Sequence, residues 1–269
     1  DFAKVVATLL RTLLDNEGRP SISVKVLGLV GSLSKIYPAR KPLQQAGVIA
    51  PLVSALSASL HATARGLAAA ALQNLSHDAD NKQAMHVTEI HEAGAIAPLV
   101  ALLHGGTSRH AAGVLRNLTS GCASLSPSIR LAGGIVPLVA LLHATEAKTA
   151  ENAAVALYNM SAVDQQSCPD ILAALAARPP RLRHWSRVGL RGVQLRDQLE
   201  PIAAERLERA AEAGDGAAAL QEAIDQAVAV DVGYGVVQRA LWVLRGMREA
   251  GEAAEAARHA RRTSLGLDE

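Results

Sequence analysis

The sequence predicts an all-α protein that folds as a tandem array of short helices, a helical solenoid. An eleven-residue block containing Ile-x-Pro-Leu-Val occurs three times, starting at Ala46, Ala93 and Ala132. A shorter phrase follows each block, and its asparagines lie 43 and 42 residues apart, at Asn74, Asn117 and Asn159. Two helical phrases repeated with a period of about 40 residues are typical of α-helical repeat proteins. The composition agrees, because 49% hydrophobic and only 2% aromatic residues suit close packing between helices rather than a β-sandwich.

Each block has a physical explanation in its glycine and its proline. The glycine can adopt a positive φ angle, so that one short helix ends and the chain turns sharply into the next. A proline is tolerated only in the first turn of a helix, so helices are predicted to start near Pro51, Pro98 and Pro137. A longer helix that ends at the asparagine completes a unit of three helices. Such a unit cannot bury its apolar stripe alone, so neighbouring units must stack.

The two phrases, Ala-Gly-x-Ile-x-Pro-Leu-Val and Leu-x-Asn-Leu-Ser, resemble the armadillo (ARM) repeat of the β-catenin-like helical solenoid family. The resemblance covers residues 1–178. It implies a right-handed α-α superhelix whose third helices line a concave groove for protein ligands. Three full repeats are expected, at 41–77, 82–120 and 128–162, after a partial repeat in which Ser32 takes the asparagine position.

The rest of the chain is expected to form two further regions. Residues 179–197 are predicted to be an Arg-rich linker, and residues 198–269 a helical hairpin with a tail. Helical segments are predicted at 198–213, 217–229 and 236–257, with a seam of apolar residues that Trp242 staples together.

The predicted binding site is the groove of the third helices. The three asparagines recur in one register, and an amide side chain can both donate to and accept from the backbone of an extended peptide. Structural ties between each helix end and the next repeat would explain the same asparagines equally well. The residues before them differ from repeat to repeat, as a specific groove requires, and the predicted partner-binding set is Gln73, Asn74, His110, Arg116, Asn117, Asn152, Tyr158 and Asn159. Nuclear-import adaptors of the family carry tryptophans four residues before each asparagine; here those positions hold Ala70, Gly113 and Val155, so binding of classical nuclear signals is not expected.

An alternative function places an anionic partner, a nucleic acid or a phospholipid headgroup, on the arginine-rich segment 178–196. The candidate residues are Arg181, Arg183, Arg187 and Arg191. A solvated linker explains the same arginines, and the net charge of +2 is too small to indicate nucleic acid by itself.

No catalytic site, metal site or cofactor is expected. The sequence contains no phosphate-binding loop, nucleophile elbow or dinucleotide motif. The densest histidine cluster is His86, Glu89, His91 and Glu92, but histidines five residues apart do not share a helix face. Cys122 and Cys168 lack the spacing of a zinc site or a disulfide framework and are expected to be free thiols.

The expected function is therefore a non-catalytic scaffold or adaptor that binds a protein or an extended peptide, as a subunit of a larger hetero-complex. No apolar run reaches the length of about 18 residues that a membrane span requires. A reducing, cytoplasmic or cytosol-facing location fits the thiol content, and a cleaved organelle-targeting peptide stays an open alternative because the chain begins without methionine.

Overall fold

A computed structural model of the chain describes residues 4–6, 8, 20–57, 61–77, 85–177, 190–213 and 216–264. These residues are helical apart from short turns, and they contain no β-strand. Residues 4–6 and 8 are helical. From residue 20 onward, the described chain forms fourteen α-helices and one short 3-10 turn, Ala123–Leu125. The helices are α1 Pro20–Ser34, α2 Tyr37–Gln45, α3 Ile49–Ser57, α4 Ala62–Ser76, α5 Met85–Glu92, α6 Ile96–Leu102, α7 Ser108–Gly121, α8 Ser126–Leu131, α9 Ile135–Leu141, α10 Ala147–Val163, α11 Ser167–Ala177, α12 Leu190–Ala213, α13 Ala217–Ala229 and α14 Tyr234–Ser264.

Three units of three helices follow one another, as the repeated blocks predict. They are α2–α4, α5–α7 and α8–α10, and α1 is the third helix of a partial unit before them. The turn between the first two helices of each unit has a glycine with positive φ, at Gly47 (72°), Gly94 (79°) and Gly133 (76°). The prediction that these glycines reverse the chain is confirmed, and the left-handed conformation explains why the position requires glycine.

The second helix of each unit buries the apolar residue that follows its proline. Pro51, Pro98 and Pro137 are each the third residue of their helix, within the first turn, where a missing N–H removes no intrahelical hydrogen bond. The leucines immediately after them have no exposed surface: Leu52, Leu99 and Leu138. The predicted stripe is therefore the interior of the stack.

The third helices α1, α4, α7 and α10 pack directly against one another along the array. Their interfaces are rich in alanine, and side chains of this size let helix backbones approach closely without leaving cavities. The alanines with no exposed surface are Ala68, Ala69, Ala71, Ala111, Ala112, Ala153, Ala154 and Ala156. This stacking brings the equivalent residues of neighbouring third helices side by side.

The chain divides into two compact units. The first contains Asp1–Ile171 and Arg183–Leu195, and the second contains Leu172–Leu182 and Arg196–Glu269. In the second unit α13 packs against α14, which gives the predicted helical hairpin. The buried residues on the two facing helices include Leu220, Ile224, Ala227, Val237 and Leu244.

Two expectations for this region are wrong. Trp242 is 78% exposed and does not staple the hairpin, because the buried positions of α14 are Val237, Ala240 and Leu244 and Trp242 lies on a different side of the helix. Helix α12 begins at Leu190, eight residues before the predicted start at 198. Pro201 lies inside α12.

Candidate functional site: the asparagine row of the third helices

Asn74, Asn117 and Asn159, here called the asparagine row, each hydrogen-bond to the third helix of the preceding unit. The side-chain amide nitrogen donates to a hydroxyl in every case: Asn74 Nδ2 to Ser34 Oγ at 3.0 Å, Asn117 Nδ2 to Ser76 Oγ at 3.0 Å, and Asn159 Nδ2 to Thr119 Oγ1 at 3.2 Å. The tie between repeats that the sequence left open is therefore present. It runs to the preceding repeat, whereas the next repeat was expected.

The accepting hydroxyls are themselves held in one orientation. Each lies two residues after an asparagine-position residue, is buried, and donates to the carbonyl oxygen three residues before it. These bonds are Ser34 to Gly31 at 2.9 Å, Ser76 to Gln73 at 3.1 Å, Thr119 to Arg116 at 2.9 Å and Ser161 to Tyr158 at 2.9 Å. With its hydrogen committed to a carbonyl, the hydroxyl can only accept from the asparagine. The repeated Ser/Thr two residues after each asparagine was the sequence signal for this arrangement, and sequence reasoning missed its role.

Further acceptors fix which end of each amide faces the protein. Asn74 Nδ2 also lies 3.4 Å from the carbonyl oxygen of Gly31, and Asn117 Nδ2 lies 3.2 Å from that of Gln73. A carbonyl oxygen accepts and never donates, so the NH2 group must face it. Asn159 Nδ2 makes its second bond to Ser120 Oγ at 2.8 Å. Within the described residues no donor reaches the Oδ1 atoms, so each half-buried asparagine keeps one unused acceptor.

Gln73 and His110, on neighbouring third helices, are joined by a hydrogen bond. Gln73 Oε1 lies 2.8 Å from His110 Nδ1. The glutamine lies across Gly113, where a Cβ would come within 2.2 Å of Gln73 Nε2. A side chain at position 113 would therefore collide with Gln73 unless the glutamine moved. Burial lowers the pKa of His110, with Arg109 and Lys35 acting in the same direction against Glu146.

Arg116 is anchored by Asn152 in the next unit. Arg116 Nη1 donates to Asn152 Oδ1 at 3.2 Å, and Asn152 Nδ2 donates to the carbonyl oxygen of Arg109 at 3.3 Å. Asn152 has no exposed surface. Its predicted place among the partner-contacting residues is therefore wrong. The side chain lies inside the array and accepts a hydrogen bond from Arg116.

The ring of Tyr158 contacts the guanidinium of Arg191. Arg191 Cζ lies 5.4 Å from the centre of the Tyr158 ring, a cation–π distance, and Arg191 Nη1 donates to Gln194 Oε1 at 2.8 Å. Arg191 is exposed. The other three arginines of the predicted anionic-partner set, Arg181, Arg183 and Arg187, lie outside the described residues.

The described residues bring together no group of three or more His, Cys, Asp or Glu side chains that could hold a metal ion. The side chain of His86, part of the cluster considered from sequence, lies outside the described residues. Cys122 is half-buried and Cys168 buried, both as free thiols. Within the described ranges, no helix combines the length and apolarity that crossing a membrane requires.

Comparison with known proteins agrees with this fold. Residues 131–162 match the family model described as Armadillo/beta-catenin-like repeat. A search of curated proteins finds no match. Among solved structures, a designed armadillo repeat protein is similar with a TM-score of 0.57 at 19% identity, over 84% of this chain and 99% of that one. Another designed armadillo repeat protein, in complex with peptide (KR)4, has a TM-score of 0.58 at 18% identity, over 86% and 100% of the two chains.

A natural structure is also similar. The armadillo repeats only protein of Plasmodium falciparum has a TM-score of 0.53 at 18% identity, over 66% of this chain and 80% of that one. The stacked three-helix units and their neighbours define an all-α solenoid. More specifically, the chain has the fold of armadillo repeat proteins, and its residues 131–162 match the armadillo repeat itself.

Proposed function

We propose that this protein is a non-catalytic scaffold that binds an extended segment of a protein partner along the asparagine row. The observation that carries the proposal is the orientation of the three amides. Their nitrogens donate to the third helix of the preceding unit. This leaves three Oδ1 acceptors in one register on adjacent third helices. An extended peptide has unpaired backbone N–H groups that suit such acceptors.

The residues around the row support a selective surface. Gln73, Arg116 and Tyr158 occupy the same position in successive units, are half-buried, and present an amide, a guanidinium and a phenol. A repeated acceptor for backbone with different side chains beside it is the arrangement that sequence-selective peptide binding needs. The designed armadillo relative that holds the peptide (KR)4 supports the same mode of binding.

The scaffold role also implies membership of a hetero-complex. A partner held by backbone hydrogen bonds is a second polypeptide, and the protein contributes a surface to that assembly rather than a reaction. The proposal includes no catalytic residue, metal or cofactor.

The test separates the two proposed roles of the asparagines, the hydrogen bond between repeats and the Oδ1 acceptor for a peptide. A random peptide library displayed on phage is selected on the full chain, and the affinity of an enriched peptide is measured by fluorescence anisotropy for wild type, Asn117→Ala and Ser76→Ala. Ser76→Ala removes the acceptor of the inter-repeat bond and keeps the Oδ1 of Asn117. It should lower the free energy of unfolding by about 0.5–1.5 kcal/mol and leave peptide affinity unchanged.

Asn117→Ala removes both the Nδ2 donor of the inter-repeat bond and the Oδ1 acceptor. It should destabilise the protein by a similar amount and also weaken peptide binding. If Asn117→Ala and Ser76→Ala bind the peptide equally well, the asparagines are purely structural and the proposal is wrong.

A further inference from the structure

The third helices carry an excess of positive charge. Within their described residues there are five cations and one carboxylate; the cations are Lys25, Arg65, Arg109, Arg116 and Lys148. That carboxylate, Glu151, pairs with Lys148 at 3.0 Å, and Glu146, just before α10, pairs with Arg109 at 2.5 Å. The carboxylates of this region are therefore already engaged, while cations are left over.

Arg116 is the cation best placed to use its charge on a partner. It lies immediately before Asn117 and is half-buried, and no carboxylate pairs with it among the described residues. Within the described part of the chain, its side-chain hydrogen bond is to the neutral Oδ1 of the buried Asn152. A guanidinium has five N–H donors, so most of them are available. The Asn152 amide holds the Arg116 guanidinium in place without neutralising its charge. A carboxylate, which can accept two parallel hydrogen bonds, would therefore meet a guanidinium that is already oriented.

The neighbouring units place different chemistry at the same register. In the next unit the ring of Tyr158 is covered by Arg191 of α12, whose guanidinium is exposed. In the previous unit Gln73 is bonded to His110 and carries no charge. The lowered pKa of His110, to which Arg109 and Lys35 contribute, agrees with a positive potential along this surface. The positive charge is thus strongest at the Arg116 and Tyr158 positions.

We infer that the partner segment is acidic, and that Arg116, positioned by Asn152, selects an Asp or Glu side chain at this point of the asparagine row. The inference rests on the proposed function, because it names the chemical class of the peptide bound there. A single-stranded nucleic acid fits less well, since stacking platforms need several aromatic rings. Tyr158 is the aromatic residue among the predicted groove residues, and Arg191 already covers its ring.

The experiment measures a preference ratio. Peptides selected from the random library are expected to be enriched in Asp and Glu. An enriched peptide and its counterpart with every Asp and Glu changed to Asn and Gln are then titrated against the full chain, and the ratio of the two Kd values is the charge preference. Wild type should prefer the acidic peptide about tenfold.

Four variants locate the preference. Arg116→Ala should bring the ratio to near one, and Arg116→Glu should invert it. Asn152→Ala should reduce the ratio while the uncharged peptide keeps its affinity, a result that a merely structural role would not produce. Arg245→Ala, a matched change on α14 where the arginine pairs with Glu249, should leave the ratio unchanged.

Each remaining outcome overturns a stated part. Enrichment of Lys and Arg, or a ratio indifferent to Arg116→Ala, overturns the inference. If neutral or basic peptides bind and depend on Asn117, the proposed function stands and only the charge class is wrong. If no peptide binds in an Asn117-dependent way, both fail, and binding of an oligonucleotide that Arg116→Ala abolishes would assign the surface to nucleic acid instead.

Discussion

At the scale of single residues, the turn glycines fix where each unit begins. Gly94 has a φ angle of 79° and no side-chain or backbone atom near the position of a Cβ. The cost of replacing it is therefore conformational and not steric. For an L-residue with a side chain, the left-handed conformation costs roughly 1–2 kcal/mol.

Gly94→Ala should accordingly lower the free energy of unfolding by about 1–2 kcal/mol, measured by urea denaturation followed by circular dichroism. Gly105→Ala is the matched control. Gly105 also has nothing near a Cβ, but it is not among the glycines with positive φ, so this change should be close to neutral. Equal effects at the two sites would mean that the positive φ is not what the position demands.

The same scale shows what the sequence could and could not predict. Gly94 and Pro98 act on their own backbone, so their roles follow from local chemistry. The bond from Asn117 to Ser76 joins residues 41 positions apart, and that from Arg116 to Asn152 joins residues 36 apart. Such pairs depend on how far one helix is shifted along the next. The period alone leaves that shift undetermined by a residue or two, and for that reason Asn152 was placed on the surface when it is buried.

At the scale of elements, the carboxylate of Asp164 lies in the turn between helices α10 and α11. Asp164 Oδ1 accepts from the backbone N–H of Gln166 at 3.2 Å, and its Oδ2 accepts from Ser167 Oγ at 2.9 Å and Arg130 Nε at 2.8 Å. Asp164 thereby ties the first helix of the last unit to the start of α11. Burial alone would raise the pKa of Asp164, but the hydrogen bonds from Arg130 and Ser167 hold it below its usual value.

A depressed carboxyl pKa stabilises the fold above its unfolded-state value of about 4, and that stability is lost as the pH falls through the folded-state value. We therefore predict that Asp164→Asn lowers the free energy of unfolding at about pH 7 and that the difference from wild type shrinks below about pH 4. Urea titrations across this range measure it. Asp170→Asn serves as control, because that carboxylate is 53% exposed and 3.9 Å from Arg130. A difference for Asp164→Asn that is independent of pH would contradict this account of the charge.

At the scale of the whole molecule, the two compact parts of the chain differ in how the sequence predicts them. The first contains a sequence repeat that occurs three times. The second has no repeated phrase, so its helices were predicted from apolar periodicity alone. That periodicity identified the hairpin but assigned Trp242 to the wrong side, because Leu241 and Trp242 are as apolar as the seam they adjoin. Leu241 is 38% exposed, and Leu244 is 3% exposed.

Substitutions in α14 should reflect this distinction. Trp242→Ala should change the free energy of unfolding by less than about 0.5 kcal/mol, because a side chain this exposed has little packing to lose. Leu244→Ala should cost about 2–5 kcal/mol. Thermal melts of both variants, with wild type as reference, measure the contrast. A larger loss at Trp242 than at Leu244 would show that the face of α14 is assigned wrongly.

The bond between each asparagine and the hydroxyl of the preceding unit also bears on how such an array changes its length. Every unit supplies a donor on one side and an acceptor on the other, and both lie at the same register. Removal of the unit α5–α7 would bring Asn159 opposite Ser76, an acceptor of the same kind as the one it loses. Duplication of a unit would likewise create a matched junction. The side chains beside the row have no such symmetry, because Gln73, Arg116 and Tyr158 all differ. Units can therefore be gained or lost with the fold preserved. Each gain or loss of a unit changes the order of the side chains that a bound segment contacts.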